Sequence, residues 1–266
     1  MNTLNIKKKV IKPYIKLRSL LNRSIKKKEC YVCNKKFQGF LKHRGGFKYV
    51  SSWQKKLNLV GSDIDNFWCM YCKSTDRERH LFMYFDKLEI WSKMEGADIL
   101  HFAPERNLSK KINKCSPNQY VKGDLYPKEN EIQKIDLTNV PYSANSFDLL
   151  ICNHVLEHVP DYMKAMKEIF RVLRPGGEAI LQTPFSKLLH NNFEDKGINT
   201  DELRLLYYGQ EDHVRHFSER QFFRNMIDVG FDLKISKHKD LFDDKSSFYF
   251  GVNEKEDLIR VIKPLT

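Results

Sequence analysis

Long apolar runs are missing from this chain of 266 residues, and none approaches the roughly 20 consecutive apolar residues that a membrane-spanning helix needs. The N-terminus is basic, but no uninterrupted apolar stretch or small-residue cleavage site follows it. That argues against a secretory signal and makes the cytoplasm the expected compartment. Acidic residues are absent from positions 1–28, where ten Lys or Arg stand. That segment supplies +10 of the net +12, so the remaining residues are nearly neutral and the excess charge belongs to a tail. No internal repeat is present. The length accommodates one mid-sized core and a small appendage.

In the tail, Tyr14, Leu17, Leu21 and Ile25 recur at helical spacing, with Lys16, Arg18 and Arg23 between them. A helix of this kind suits peripheral contact with an anionic membrane or with nucleic-acid phosphates; a solvated arm is the other reading. The six cysteines divide into two Cys-x2-Cys pairs, Cys30/Cys33 and Cys69/Cys72, and the single Cys115 and Cys152. Without an export signal, paired spacing argues for a metal rather than disulfides. Four thiolates around one zinc form a closed, structural site. The expected divisions are a basic amphipathic tail over 1–28, a zinc-ribbon-like module over 29–80 and one larger domain over 81–266.

Within that domain, Arg77–Met94 reads as an amphipathic helix, with Leu81, Phe82, Phe85, Leu88 and Trp91 on one face. Short apolar runs then alternate with helical stretches. Strands are expected at Ile99–Ala103, Gln119–Leu125, Phe147–Asn153 and Glu178–Thr183, and helices at Leu108–Lys114, Tyr162–Leu173 and Phe217–Val229. Phe231–Ser236 and Ser247–Val252 read as a late antiparallel strand pair. This alternation predicts an α/β fold with a mostly parallel, doubly wound sheet.

The most informative stretch is Asp136–Phe185. It carries Asp136, Val140-Pro141-Tyr142, Ser146-Phe147-Asp148, Leu156-Glu157-His158 and Arg171-Val172-Leu173-Arg174-Pro175-Gly176-Gly177 in order. In these elements the sequence resembles the class I S-adenosylmethionine-dependent methyltransferases of the type 11 branch, well over about residues 97–185 and poorly elsewhere. The resemblance implies a Rossmann-like sheet and S-adenosylmethionine as cofactor. It puts Asp136 on the adenine amino group with backbone contact from Leu137, and Asp124, followed by Leu125, on the ribose hydroxyls. Asn153 and His154 fall just past a strand's carboxyl end, where open α/β sheets bind ligands.

The first motif departs from the family. Where an acid and Gly-x-Gly are usual, this chain has His101-Phe102-Ala103-Pro104-Glu105, resembling a Leu-His-x-Ala-Pro-Glu version in one subgroup. A Cβ at each glycine position narrows the loop. Either Phe102, Ala103 and Glu105 still hold the cofactor, with Glu105 on its ammonium group, or the domain is a non-catalytic binding module. Read as a loop, Gly209–Ser218 offers His213 and His216, with His154, as candidate bases for an acceptor hydroxyl. Arg215, Asp212 and Glu194 are candidate substrate contacts. Ser218 and Gln221 fit a capping box. The expected activity is methyl transfer to a small-molecule or sugar hydroxyl, such as a glycan or its lipid-linked precursor. RNA is the alternative acceptor, because some RNA methyltransferases pair a four-cysteine zinc module with this fold.

Overall fold

The computed structural model describes residues 28–265; the tail's expected helix lies outside them. The N-terminal region contains strands β1 (Lys28–Glu29) and β2 (Lys36–Phe37), helix α1 (Ser52–Lys56) and strand β3 (Leu59–Val60). Helix α2 (Asp76–Lys87) starts on Thr75, whose side chain accepts from the Glu78 amide, and its last turn gives way at Glu89, at φ 54°. A 3-10 turn, Ile90–Met94, completes the segment that the periodicity assigns to one helix.

Then follow β4 (Asp98–Phe102), α3 (Arg106–Asn113), β5 (Gln119–Asp124), β6 (Gln133–Lys134), β7 (Phe147–Asn153), α4 (Tyr162–Val172) and β8 (Leu173–Gln182). An insert carries β9 (Phe185–Ser186), α5 (Asp201–Tyr208) and β10 (Phe217–Ser218). The chain ends with α6 (Glu219–Val229), β11 (Asp232–Ser236), α7 (His238–Leu241), α8 (Asp244–Phe250) and β12 (Leu258–Ile262).

Seven strands form the central sheet in the order β11-β12-β8-β7-β4-β5-β6. The five from β8 to β6 are parallel, and β12 is antiparallel to both neighbours. Period-two alternation explains why this sheet is covered on both faces. Leu100, Phe102, Leu150, Cys152, Ala179 and Leu181 join one core with α4 and α6, while Ile99, Leu149, Ile151 and Ile180 join another with α2 and α3. Pro175-Gly176-Gly177 works as a close-packed corner: a Cβ on Gly177 would lie 2.8 Å from the Arg174 carbonyl. Asp148 is structural, accepting from the Asp98 amide at 2.8 Å and from Arg174 at 2.6 Å.

Two expectations are corrected. Residues 247–252 do not form a strand; the partner of β11 is β12, in register from Asp232↔Ile262 to Ser236↔Leu258. The aromatic run at 248–250 is helical because Asp243 caps it, accepting from the Ser246 amide, and Gly251 ends it at φ 62°. The N-terminal region is also joined to the rest. Strand β3 pairs antiparallel with β9, which pairs parallel with β10, so one small sheet contains both the cysteine region and the insert. Gln54 Nε2 donates to the Leu205 and Leu206 carbonyls, and Arg44 meets Glu211 through two bonds of 3.0 and 2.6 Å. The expected boundary at 80/81 falls inside α2.

Candidate active site

The order of the sheet reverses between β4 and β7, and the crevice outside their carboxyl ends is where such sheets take ligands. Phe102 pairs with Gly123 on one side and Cys152 on the other, so Ala103, Asp124 and Asn153 follow on the same edge. The Ala103 amide donates to the Gly123 carbonyl at 2.8 Å, and the Ile135 amide to the Asp124 carbonyl at 2.9 Å, bringing the segment before Asp136 alongside. Ala103 is exposed and adopts φ 47°, a left-handed conformation that costs an L-residue about 1–2 kcal/mol and suits the glycine it replaces.

The two carboxylates on this edge are prepared alike. Asp124 Oδ1 accepts from the Tyr126 amide at 2.8 Å, and Asp136 Oδ1 from the Thr138 amide and hydroxyl at 2.8 and 2.9 Å. In each, Oδ2 is engaged by no group among the described residues, leaving an oriented acceptor at the edge. Leu125 is exposed beside them, whereas the side chains of Phe102 and Leu137 belong to the core, leaving backbone as what they can offer a ligand.

Glu105 is less free than the sequence suggests. One of its oxygens accepts from His101 Nε2 at 2.9 Å, and the other accepts from Asn153 Nδ2. His101 is fully buried and reaches the Tyr120 hydroxyl at 2.8 Å through Nδ1. The acid missing at position 101 therefore returns as Glu105, held against His101 four residues later. Burial opposes its charge, yet His101 and Asn153 keep Glu105 below the ordinary carboxylate range. Each oxygen still has lone-pair capacity for a cationic ligand.

Sequence reasoning missed Glu78. Its carboxylate accepts from the Asn107 and Leu108 amides, both at 2.8 Å, and fills the N-terminus of α3. Thr75-x-x-Glu78 has capping-box spacing, but Glu78 reaches a different helix. Burial, with the Glu105 charge nearby, raises its pKa to about 7. The anion-binding end of α3 is thus occupied by the protein itself.

The histidines are corrected more strongly. His154 sits at φ 55° with its ring buried between Glu157 Oε1 and Glu256 Oε1, each 3.3 Å away. Burial opposes its charge, but those two carboxylates raise its pKa, so His154 is an internal ion-pair partner rather than an exposed base. Behind it, His80 lies 3.5 Å from Glu256 and 2.7 Å from His238, which reaches Ser247 at 2.6 Å.

From His213 to Ser218 the segment is mostly buried, a wall instead of an open recognition loop, while Gly209–Asp212 stay partly exposed. Arg215 is consumed internally: it contacts Glu194 at 2.8 Å, the carbonyls of Leu156, Val159 and Pro160, and the Tyr162 ring at 4.6 Å. It has no face left for a substrate, and Glu194 is its partner. His213 is buried against His158, their ring centroids 4.6 Å apart, while Asp212 remains exposed beside His158. Ser218 caps α6, accepting from the Gln221 amide.

His216 is 2% exposed and its Nε2 donates to the Tyr207 carbonyl at 2.9 Å. Burial lowers its pKa to about 4, against about 6.5 in an unfolded chain. Its contribution is therefore fully present above pH 6.5 and is lost as the pH falls toward 4, by roughly 3 kcal/mol. Urea unfolding from pH 7 to 4 is expected to show that decline, with a shallower slope in His216→Gln. Parallel slopes would remove His216 as the cause.

The four paired cysteines form a second centre. Cys30 Sγ lies 3.6 Å from Cys72 Sγ and Cys33 Sγ 3.8 Å from Cys69 Sγ, with all four sulfurs within 4.8 Å and no disulfide. The two pairs fold alike. The Asn34 amide donates to the Cys30 carbonyl and the Lys73 amide to the Cys69 carbonyl, and Asn34 and Lys73 adopt φ 56° and 64°. A tetrahedron of zinc–sulfur bonds near 2.3 Å has edges of about 3.8 Å, so the sulfurs stand where such an ion fits.

Comparison with known proteins places these strand ends in context. Demethylmenaquinone methyltransferase of Lactobacillus johnsonii is 28% identical over 126 residues, covering 40% of this chain and 52% of the relative. The enzyme of the same name from a Geobacillus species is 34% identical over 70 residues, covering 24% of this chain and 30% of that one. The chain thus spans about half, or less, of these relatives' length. An S-adenosylmethionine dependent methyltransferase structure from Mesorhizobium loti is similar with a TM-score of 0.49 and 14% identity, over 68% of this chain and 96% of that one. Residues 93–181, which run from the turn before β4 through nearly all of β8, match the family described as "Methyltransferase domain". That match makes this part of the chain similar to a methyltransferase domain.

Proposed function

We propose that the chain transfers a methyl group from S-adenosylmethionine to a hydroxyl of a small molecule, a sugar among the fitting acceptors, and that its four paired cysteines hold a structural zinc. The observation carrying the first reading is the edge itself: Ala103, Asp124, Asp136 and Asn153 stand along it, and neither aspartate's Oδ2 has a partner among the described residues. When bound, the cofactor supplies a methyl group on a sulfonium that departs as a neutral thioether. Asp124 would accept from the ribose hydroxyls and Asp136 from the adenine amino group. Glu105, steadied by His101 and Asn153, would face the ammonium group. With the leaving group already activated, these residues mainly orient the cofactor, and the acceptor hydroxyl's proton passes to solvent as the new carbon–oxygen bond forms.

The small-molecule acceptor is supported by the curated relatives, whose names specify demethylmenaquinone. For zinc, the supporting observation is the pair of matching turns and their sulfur spacings. No helix among the described residues is long and apolar enough to cross a membrane.

Calorimetry tests the cofactor reading. The parent chain is expected to bind S-adenosylmethionine, and Asp124→Ala to weaken binding about 10- to 100-fold, the worth of charge-assisted hydrogen bonds. A parent that binds no cofactor would sink the reading; unchanged affinity in the variant would remove Asp124 from the site. Incubation with methyl-labelled cofactor and fractionated small-molecule extract then tests the acceptor class.

A further inference from the structure

Next to the ligand edge, in the turn after β7, Glu157, His158 and His213 converge. Each offers one donor atom, and the three atoms lie within 4.8 Å of one another. Glu157 Oε1 is 4.0 Å from His213 Nε2. His158 Nδ1 is 3.3 Å from Asp212 Oδ2, which places a further carboxylate at the exposed rim.

Among the described residues, one buried oxygen of this cluster lacks a hydrogen-bond donor. Glu157 is completely buried, yet its Oε1 accepts no directed hydrogen bond, although His154 lies within ion-pair distance. His213 is 4% exposed, and its Nε2, the nitrogen 4.0 Å from Glu157 Oε1, also lies 2.6 Å from Gln210 Nε2, a hydrogen bond that an ion would displace. A buried carboxylate oxygen without a donor is uncommon and costly in a folded protein. The surrounding backbone keeps the donors together: the Val214 amide donates to the Glu157 carbonyl at 3.0 Å, and Arg215 grips the Leu156 carbonyl at 3.1 Å. Glu157 Oε2 accepts from the Thr183 hydroxyl at 2.9 Å, fixing the carboxylate's orientation.

We propose that Glu157, His158 and His213 bind a divalent transition-metal ion, with Asp212 as an additional donor from the rim. Two imidazoles and one carboxylate suit first-row ions of the manganese-to-zinc series and leave coordination positions for an oxygen ligand. Bonds of about 2.0–2.2 Å require donors about 3.4 Å apart, so binding draws the cluster inward by about an ångström. The half-exposed His158 has the freedom to make that adjustment. The site is separate from the four cysteines and is proposed whether or not the chain transfers methyl groups.

The test uses the full chain with its zinc content measured beforehand. Manganese is titrated in and its free ion followed by electron paramagnetic resonance, because a four-thiolate site favours softer ions. One saturable ion per chain is expected. His158→Ala, with its melting temperature compared against the parent, should weaken uptake at least about tenfold; Glu157→Gln should do the same. Cobalt gives a second reading, with visible bands lacking thiolate charge transfer and lost in His158→Ala. The proposal is overturned if neither ion binds saturably, or if binding is unchanged in both variants, or if cobalt shows only thiolate charge transfer.

Discussion

Replacing Cys69 by serine is expected to remove several kcal/mol of stability from the whole chain, a large part of the roughly 5–15 kcal/mol available to a folded domain. The effect extends beyond the cysteine turns because of what they position. The second turn leads directly into α2, where the Ser74 and Phe67 carbonyls help bind Arg79. The same region continues through α1 and β3, whose partner is β9 in the insert. Serine is a poor zinc ligand, and a structural ion's binding energy is folding energy. Thermal unfolding together with zinc content checks this. A variant that loses zinc yet melts with the parent would show that the ion does not hold these parts together.

Arg79→Met is expected to cost about 3–5 kcal/mol, because several buried carbonyls lose a charged donor at once. Arg79 is completely buried and donates to five carbonyls, those of Phe250 at 2.9 Å, Phe67 at 3.2 Å, Ser74 at 3.1 Å, Gly251 at 2.8 Å, and Asn66. Its guanidinium also lies 3.7 Å from the Phe40 ring centre. Methionine fills some of the volume but leaves those carbonyls dry and unpartnered. Lysine should rescue little, because its three donors cannot reproduce the planar fork. Urea midpoints of the parent, Arg79→Met and Arg79→Lys decide the matter; a methionine variant within about 1 kcal/mol of the parent would refute it.

The parallel strands were legible because apolar runs such as Phe147–Asn153 are buried on both faces and stand between strongly patterned helices. Phe248-Tyr249-Phe250 misled because aromatic residues favour strands, while the cap at Asp243 and the glycine at 251 favour a helical turn. Strand β3 has only two residues, too few for periodicity to reveal its union with the insert. The placing of Ala103, Asp124 and Asn153 along one sheet edge followed from strand ends, which local sequence marks well. The fate of Arg215 did not: its partners lie at Leu156, Val159 and Pro160, and no local pattern reports those distant carbonyls. Glu78 was obscured for a related reason, since its capping spacing pointed to its own helix.

The small sheet joining β3 to β9 also constrains how the molecule is made. Leu59 meets Ser186, so all of the intervening chain through Ser186 must leave the ribosome before this pairing can form. Until then the early segment presents an unsatisfied backbone edge, and such edges invite association with other chains. Late closure of this kind slows folding. A fragment beginning at position 81 would carry the opposite deficit, with β9 lacking its antiparallel neighbour, so trimming the cysteine region exposes an adhesive edge rather than freeing an autonomous domain.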